Sequence, residues 1–224
     1  ALLLGAWYFF VFPSSVSLPP EKEAPPPVAA IVKKVFGFSV QNRPIEGYVI
    51  GNGAETMLLF GAIHGQEMGS AWLLRELVLE IALNRRLVGS SKKLIIIPVA
   101  NPDGYFDRTD LLNAREVNLN LNFATVDWQK YGPEGTFAGL EPFSEPESRV
   151  IKEVVEQYQP TLMLAFHSHG NLVSPEASQA SKKFAEWYAG KSGYKYFDEW
   201  DYPGTATKWF EEATGKAAIT VELA

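Results

Sequence analysis

The chain has no cysteine, which removes thiolate zinc sites, disulfides and cysteine nucleophiles and leaves the redox compartment open. It also has no cluster of basic residues. With a formal net charge of −6, that argues against nucleic acid as a partner. Histidine is scarce, present only at positions 64, 167 and 169, so any imidazole chemistry is confined to two stretches. What remains is ordinary for a globular protein: 224 residues, 46% of them hydrophobic and 21% charged, enough for one large domain with a substantial core.

Both ends read as cut. The sequence begins without Met inside the apolar run Ala1–Phe12, which is too short to span a bilayer, a task that needs about 20 residues. Trp7, Tyr8, Phe9 and Phe10 near its end suit a membrane interface. Residues 1–12 are therefore expected to be the tail of a membrane anchor or signal segment, making the membrane a partner through the N-terminus; the alternative is a buried strand. Residues 13–30 are rich in proline and lack apolar periodicity, as expected of a semi-rigid linker. On this reading the protein is extracytoplasmic, held at the cell envelope or secreted.

From residue 31 to 224 strands alternate with helices, an α/β pattern without internal repeat. Strands are expected over Ile31–Val40, Glu46–Ile50, the stretch leading to His64, Lys93–Val99, Thr161–Phe166 and Ala217–Leu223. The strongest helix is expected over Met68–Asn84, with Trp72, Leu73, Leu77, Leu79, Ile81 and Leu83 on its apolar face. Asn101-Pro-Asp-Gly104 reads as a turn. Arg108–Trp128, rich in asparagine, reads as an irregular loop over the site. A helix with Ser144 as N-cap is expected to run to about Gln159, another over Glu176–Ala189, and a short one carries Trp209 and Phe210.

The chemistry gathers around Leu58-Leu-Phe-Gly-Ala-Ile-His64-Gly-Gln-Glu67, an apolar strand that breaks at glycine and delivers an imidazole and a carboxylate three residues apart. Both can reach one divalent cation of the zinc type. The second stretch, Leu164-Ala-Phe-His167-Ser-His169-Gly170, is again an apolar run ending in histidine and glycine. His-x-x-Glu followed about a hundred residues later by a strand-end histidine is the ligand pattern of a mononuclear zinc hydrolase. Such a hydrolase also needs a group to take a proton from water. The last strand, Ala218-Ile-Thr-Val-Glu222-Leu-Ala, carries one carboxylate in an apolar run, and burial would raise its pKa toward neutrality.

In their order, His64-Gly-Gln-Glu67, Asn101-Pro-Asp-Gly104, Asn118-Leu-Asn-Leu-Asn-Phe123, Phe143-Ser-Glu-Pro-Glu147, Phe166-His-Ser168, Pro203-Gly-Thr205 and Thr220-Val-Glu222-Leu resemble the zinc metallocarboxypeptidases. The bacterial branch that includes murein peptide amidases is the nearest likeness, and the resemblance covers about Phe36 to Ala224. It implies a three-layer α/β/α sandwich around a mixed, mostly eight-stranded sheet. It also implies Zn²⁺ held by His64, Glu67 and His167, and hydrolysis of peptide or cell-wall peptide amide bonds by a metal-activated water, with Glu222 as general base and acid. A tyrosine covers substrate in that family, and Tyr202 is its nearest match here.

One loop departs from the family, where two arginines and an aspartate hold substrate and orient the first zinc histidine. Their positions align with Leu111, Leu121 and Asn118. Arg108 or Arg115 would replace the arginines if the loop is re-routed, Asn120 remains as a polar substrate contact, and His169, which on a continuing strand would share the face of His167, could line the pocket or donate to an oxyanion. Two other readings stay open: a catalytically weakened relative that binds peptide or peptidoglycan, and a zinc deacylase of N-acyl amino acids. Oligomeric state is not legible. Removal of residues 1–27 is expected to leave a soluble, folded domain; aggregation of the shortened protein, with the longer one soluble, would make the apolar run a core strand.

Overall fold

The computed structural model describes residues 29–107 and 111–224. The expected anchor, nearly all of the expected linker and Arg108 lie outside them. One eight-stranded sheet runs through the domain: β1 (Ile31–Phe38), β2 (Pro44–Ile50), β3 (Glu55–Gly61), β4 (Lys92–Ile97), β5 (Leu162–Ser168), β6 (Leu172–Pro175), β7 (Lys195–Tyr196) and β8 (Ala217–Leu223), in the order β1-β2-β4-β3-β5-β8-β6-β7. β4, β3, β5 and β8 are mutually parallel, while β1, β2 and β6 add antiparallel pairings toward the edges. The sheet is therefore mixed, as expected.

The central strands are apolar on both faces because helices cover both. On one face Leu58, Phe60, Met163, Ala165 and Ala218 pack against α3 (Pro146–Tyr158) and α5 (Ala206–Thr214). On the other, Leu59, Leu164, Phe166, Ile219 and Val221 meet α1 (Met68–Leu83) and α4 (Gln179–Ser192). The strand period of two assigns each side chain to a layer, so His167 leaves β5 on the face of Met163 and Ala165. Glu222 leaves β8 on the face of Ala218.

Several expected elements are corrected. Asn101-Pro-Asp-Gly104 opens a short helix, α2 (Pro102–Asp107), with proline in its first turn, where a missing N–H costs nothing. Glu145, not Ser144, is the N-cap of α3. Helix α4 begins at Gln179 with Ser178 as its cap, so Glu176 precedes the helix. The buried residues of α1 are Ser70, Ala71, Leu74, Val78 and Ile81, and the face bearing Trp72, Leu79 and Leu83 is exposed. β6 and β7, of four and two residues, were not foreseen.

The first parallel crossover matters most for the site. After β3 the chain turns at Ala62, a buried residue with φ of 44°, and Ser70 ties the turn down by accepting from Ala62 N (2.8 Å) and donating to Glu67 O (2.7 Å). Asn101 clamps the turn from outside, its side chain donating to Ile63 O (3.3 Å) and Leu112 O (3.1 Å). Gly65 then lies against Gly104 so closely that a Cβ on it would fall 2.3 Å from the Gly104 carbonyl carbon. Gly65→Ala must push α2 away, and overpacking of this kind costs about 1–3 kcal/mol. Gly190, within α4 and with nothing near its would-be Cβ, is the control: Gly190→Ala should leave stability unchanged or raise it by about 0.5–1 kcal/mol. Thermal unfolding of the two variants checks the contrast; equal melting temperatures would remove the close approach as a constraint.

Candidate metal centre and cleft

Two strand ends build the metal centre. The turn after β3 carries His64 and Glu67, and the end of β5 delivers His167. Glu67 is the residue preceding α1, and its side chain makes no capping bond to the helix, so its carboxylate is free to face the imidazoles. His64 Nδ1 lies 2.8 Å from Glu67 Oε1, His167 Nδ1 2.9 Å from Glu67 Oε2, and the two Nδ1 atoms are 3.3 Å apart. A tetrahedral zinc with bonds of about 2.0–2.1 Å spaces its ligand atoms about 3.3 Å apart, so the donor set fits that ion. Two further observations agree. Glu67 Oε2, despite its nearness to His167, is buried without a hydrogen-bond partner. Burial works against the Glu67 charge, but His167 foremost and then His64 outweigh it and hold the carboxyl down at about 2, ionised as a cation ligand must be.

The tautomer of His64 follows from its neighbours. Asn118 is buried, and its Oδ1 accepts from Asn120 N (3.0 Å), which identifies that atom as the oxygen. The same oxygen lies 3.2 Å from His64 Nε2, so Nε2 carries the proton and Nδ1 offers its lone pair to the centre. The other asparagines of that loop serve elsewhere. Asn120 Oδ1 accepts from Ala206 N at the start of α5 (3.3 Å), and Asn122 bonds Ala138 O, Ser148 Oγ and Glu145 N.

Glu222 is the parallel register partner of His167, on the same face of the sheet. Burial pushes its carboxyl up, His167 opposes, and Glu67 adds to the rise. Gly170 packs against it: a Cβ there would lie 2.6 Å from Glu222 Cβ. His64, His167 and Glu222 line a cleft of about 300 Å³ with Asn118, Asn120, Leu121 and Tyr202. Its other wall, which the sequence did not reveal, comes from Ser174, Glu176, Trp200, Thr207 and Thr220.

Not every expected residue arrives. Arg115 is exposed, 3.6 Å from Glu145, and lines a separate depression with Arg149 and Leu140. β5 ends at Ser168, so His169 does not continue on the face of His167 and is exposed beside the last residue. Leu121 is buried in the cleft wall, and Gly132 comes so close that a Cβ on it would fall 2.5 Å from Leu121 Cδ1. Among the described residues, no lysine or arginine lines this cleft.

Comparisons with known proteins agree with that geometry. A family profile described as zinc carboxypeptidase matches residues 27–208. The chain is 27% identical over 174 residues to a carboxypeptidase B of Helicoverpa zea, covering 66% of this chain and 37% of that protein. It is 27% identical over 173 residues to a carboxypeptidase B of Astacus astacus, covering 65% and 56%. It thus spans well under two thirds of the length of either. Among solved structures, murein-tripeptide amidase MpaA from Escherichia coli O157 superposes with a TM-score of 0.66 at 23% identity, over 90% of this chain and 85% of that one. Carboxypeptidase A from Helicoverpa armigera gives 0.71 at 23%, over 87% and 59%. These likenesses establish the α/β/α fold.

Protein reconstituted with zinc should hold about one equivalent by elemental analysis, and His64→Ala or His167→Ala should lose it. Asn118→Ala should keep the metal but bind it about 10–100-fold more weakly, the usual cost of removing a ligand's outer hydrogen bond. Wild-type protein that takes up no zinc would end the assignment.

Proposed function

The chain belongs to the zinc carboxypeptidase family, and from that membership we propose that it hydrolyses peptide-type amide bonds, those of cell-wall peptides included, with zinc held by His64, Glu67 and His167. The observation that carries the proposal is the register pairing of His167 with Glu222. It puts a half-buried carboxyl on the same face as, and next to, three converging ligand atoms.

Zinc in that cradle would supply Lewis-acid polarisation of the scissile carbonyl and acidify a water toward neutrality. The protein does the rest. Glu222, raised by burial, is poised to accept a proton from the attacking water on its carboxylate and return it to the departing nitrogen. Asn118 holds His64 in the tautomer that leaves Nδ1 free. It does so without the charge of an aspartate. Tyr202, exposed beside Trp200 in the cleft lining, would cover substrate, and Asn120, its Oδ1 held by Ala206 N, would offer its side-chain N–H to it.

Substrate choice follows from what the cleft offers. A terminal carboxylate is best held by a guanidinium fork, and the position that would supply one is Leu121, packed against Gly132. We read the preferred bond as one whose recognition does not hinge on a free C-terminus. Wall peptides belong in that class, and one fold neighbour is a murein-tripeptide amidase. The same leucine favours a second reading, a relative that binds such peptides without cutting them. A membrane tether through residues 1–12 is proposed from sequence alone; among the described residues no helix is long and apolar enough to cross a membrane.

Zinc-loaded protein should cleave blocked peptides or muropeptides faster than simple peptides with free C-termini. Glu222→Gln should retain zinc and lose at least about 10²-fold in rate. Loss of zinc together with activity would make Glu222 a ligand, and no turnover of any substrate by loaded wild type would leave the binding reading.

A further inference from the structure

Helices α1 and α4 lie in one layer, and each carries large apolar side chains on its outward face. α1 lies over β3 and β5 and α4 over β8 and β6, with β5 and β8 adjacent in the sheet, so both outward faces look the same way. On α1, Met68, Trp72, Leu79 and Leu83 fall within an arc of about 60° and run for about 22 Å along the helix. All four are exposed, Leu83 to 84%, and exposed Leu87 follows just beyond the helix end. On α4, exposed Trp187 has Lys183 one turn before it and Lys191 one turn after.

Charge and chain path say what covers this face. Across α1, the short helical turn Arg85–Leu87 and α4, six lysines and arginines stand against Glu76, Glu80 and Glu186, in a chain whose net charge is −6. Arg85 and Arg86 adjoin Leu83 and Leu87, as Lys183 and Lys191 flank Trp187. Indole rings beside long basic side chains suit a lipid headgroup region, where the ring enters the interface and the charge reaches out to phosphate. The described chain begins at Ala29, which is buried in one cluster with Val88 and whose carbonyl accepts from Arg85 Nη1 (3.1 Å). A tether through residues 1–12 would therefore join the domain at the end of α1 that bears Leu83 and Leu87. We propose that the outward face of α1 and α4 is a docking surface for an anionic phospholipid bilayer, with Trp72, Leu79, Leu83 and Trp187 entering its interface.

This surface goes beyond the hydrolase reading and does not depend on it. The cleft takes its walls from the other layer, Thr207 of α5 among them, and His167 and Glu222 leave the sheet on that side. A bilayer against α1 and α4 therefore leaves the cleft facing water. Such a helix lies in the interface plane and does not cross it, a role set by its exposed apolar stripe rather than by its length.

The absence of cysteine allows one label to be placed at a time. In the full chain, an environment-sensitive fluorophore is attached to Ala82→Cys on α1, Gly190→Cys on α4, or Glu153→Cys on α3 in the opposite layer, all three positions being exposed. Vesicles are phosphatidylcholine alone or with phosphatidylglycerol, with and without doxyl-labelled lipid. On the anionic vesicles the labels at 82 and 190 should shift to the blue and be quenched by doxyl lipid, and the label at 153 should do neither. Lys183→Gln combined with Lys191→Gln should weaken binding to those vesicles about tenfold or more, because each cation near such a surface contributes about fivefold. Protein that sediments with vesicles while the labels at 82 and 190 stay in water would leave a tether alone and overturn the proposal. Labels buried without vesicles, in a particle of twice the mass, would give the face to a second copy and overturn it too. So would equal burial of all three labels, or binding unmoved by phosphatidylglycerol and by the two substitutions.

Discussion

A slip of one residue in the pairing of β5 with β8 would send His167 and Glu222 to opposite faces of the sheet, because strand side chains alternate with period two. The core forbids the slip. Met163 and Ala165 must enter one apolar layer while Leu164 and Phe166 enter the other, and Ala218 and Ile219 repeat the division on the next strand. The same burial that stabilises the sandwich therefore aims the reactive groups. β3 obeys the same rule and brings its chain end to the same edge, where parallel α/β sheets gather their ligands.

What the sheet aims, a shell of uncharged hydrogen bonds refines. Asn118 fixes a tautomer, Asn101 holds the turn that carries His64, and Gly170 leaves room for the Glu222 side chain. Charge is concentrated in Glu67, Glu222 and Glu176, all acidic, and a bound divalent cation would answer only the two nearest. Among the described residues the cleft therefore offers carboxyls and no guanidinium or ammonium group, which is poor ground for a substrate carboxylate.

The fold was legible where apolar runs are long. The final strand has the bounds expected of it, Ala217–Leu223, because a mostly apolar, β-branched stretch after a glycine-ended helix admits little else. His64, Glu67 and His167 could be singled out because histidine is so scarce. Short elements escaped: four residues in β6 and two in β7 carry no periodicity, and their pairing with β8 is a tertiary event. Glu176 was hidden for a related reason. Ser178, two residues later, is the true cap, and the carboxylate before it passes for the first turn of a helix. The apolar face of α1 was misplaced because Trp72, Leu79 and Leu83 are large and apolar yet exposed, while small Ser70 and Ala71 face the sheet. Arg115 offered charge in the right loop, but Glu145 holds it elsewhere.

Gly65 and Gly104 touch backbone to backbone, with no side chain between to act as a cushion. The turn bearing His64 and Glu67 therefore cannot open without carrying the start of α2 with it, and Asn101 adds hydrogen bonds to that joint. Metal exchange then becomes a local unfolding event with its own free energy, distinct from the equilibrium strength of the three ligand bonds. A site joined in this way can hold its ion for long residence times even where a neutral amide, in place of a carboxylate, supports the first histidine.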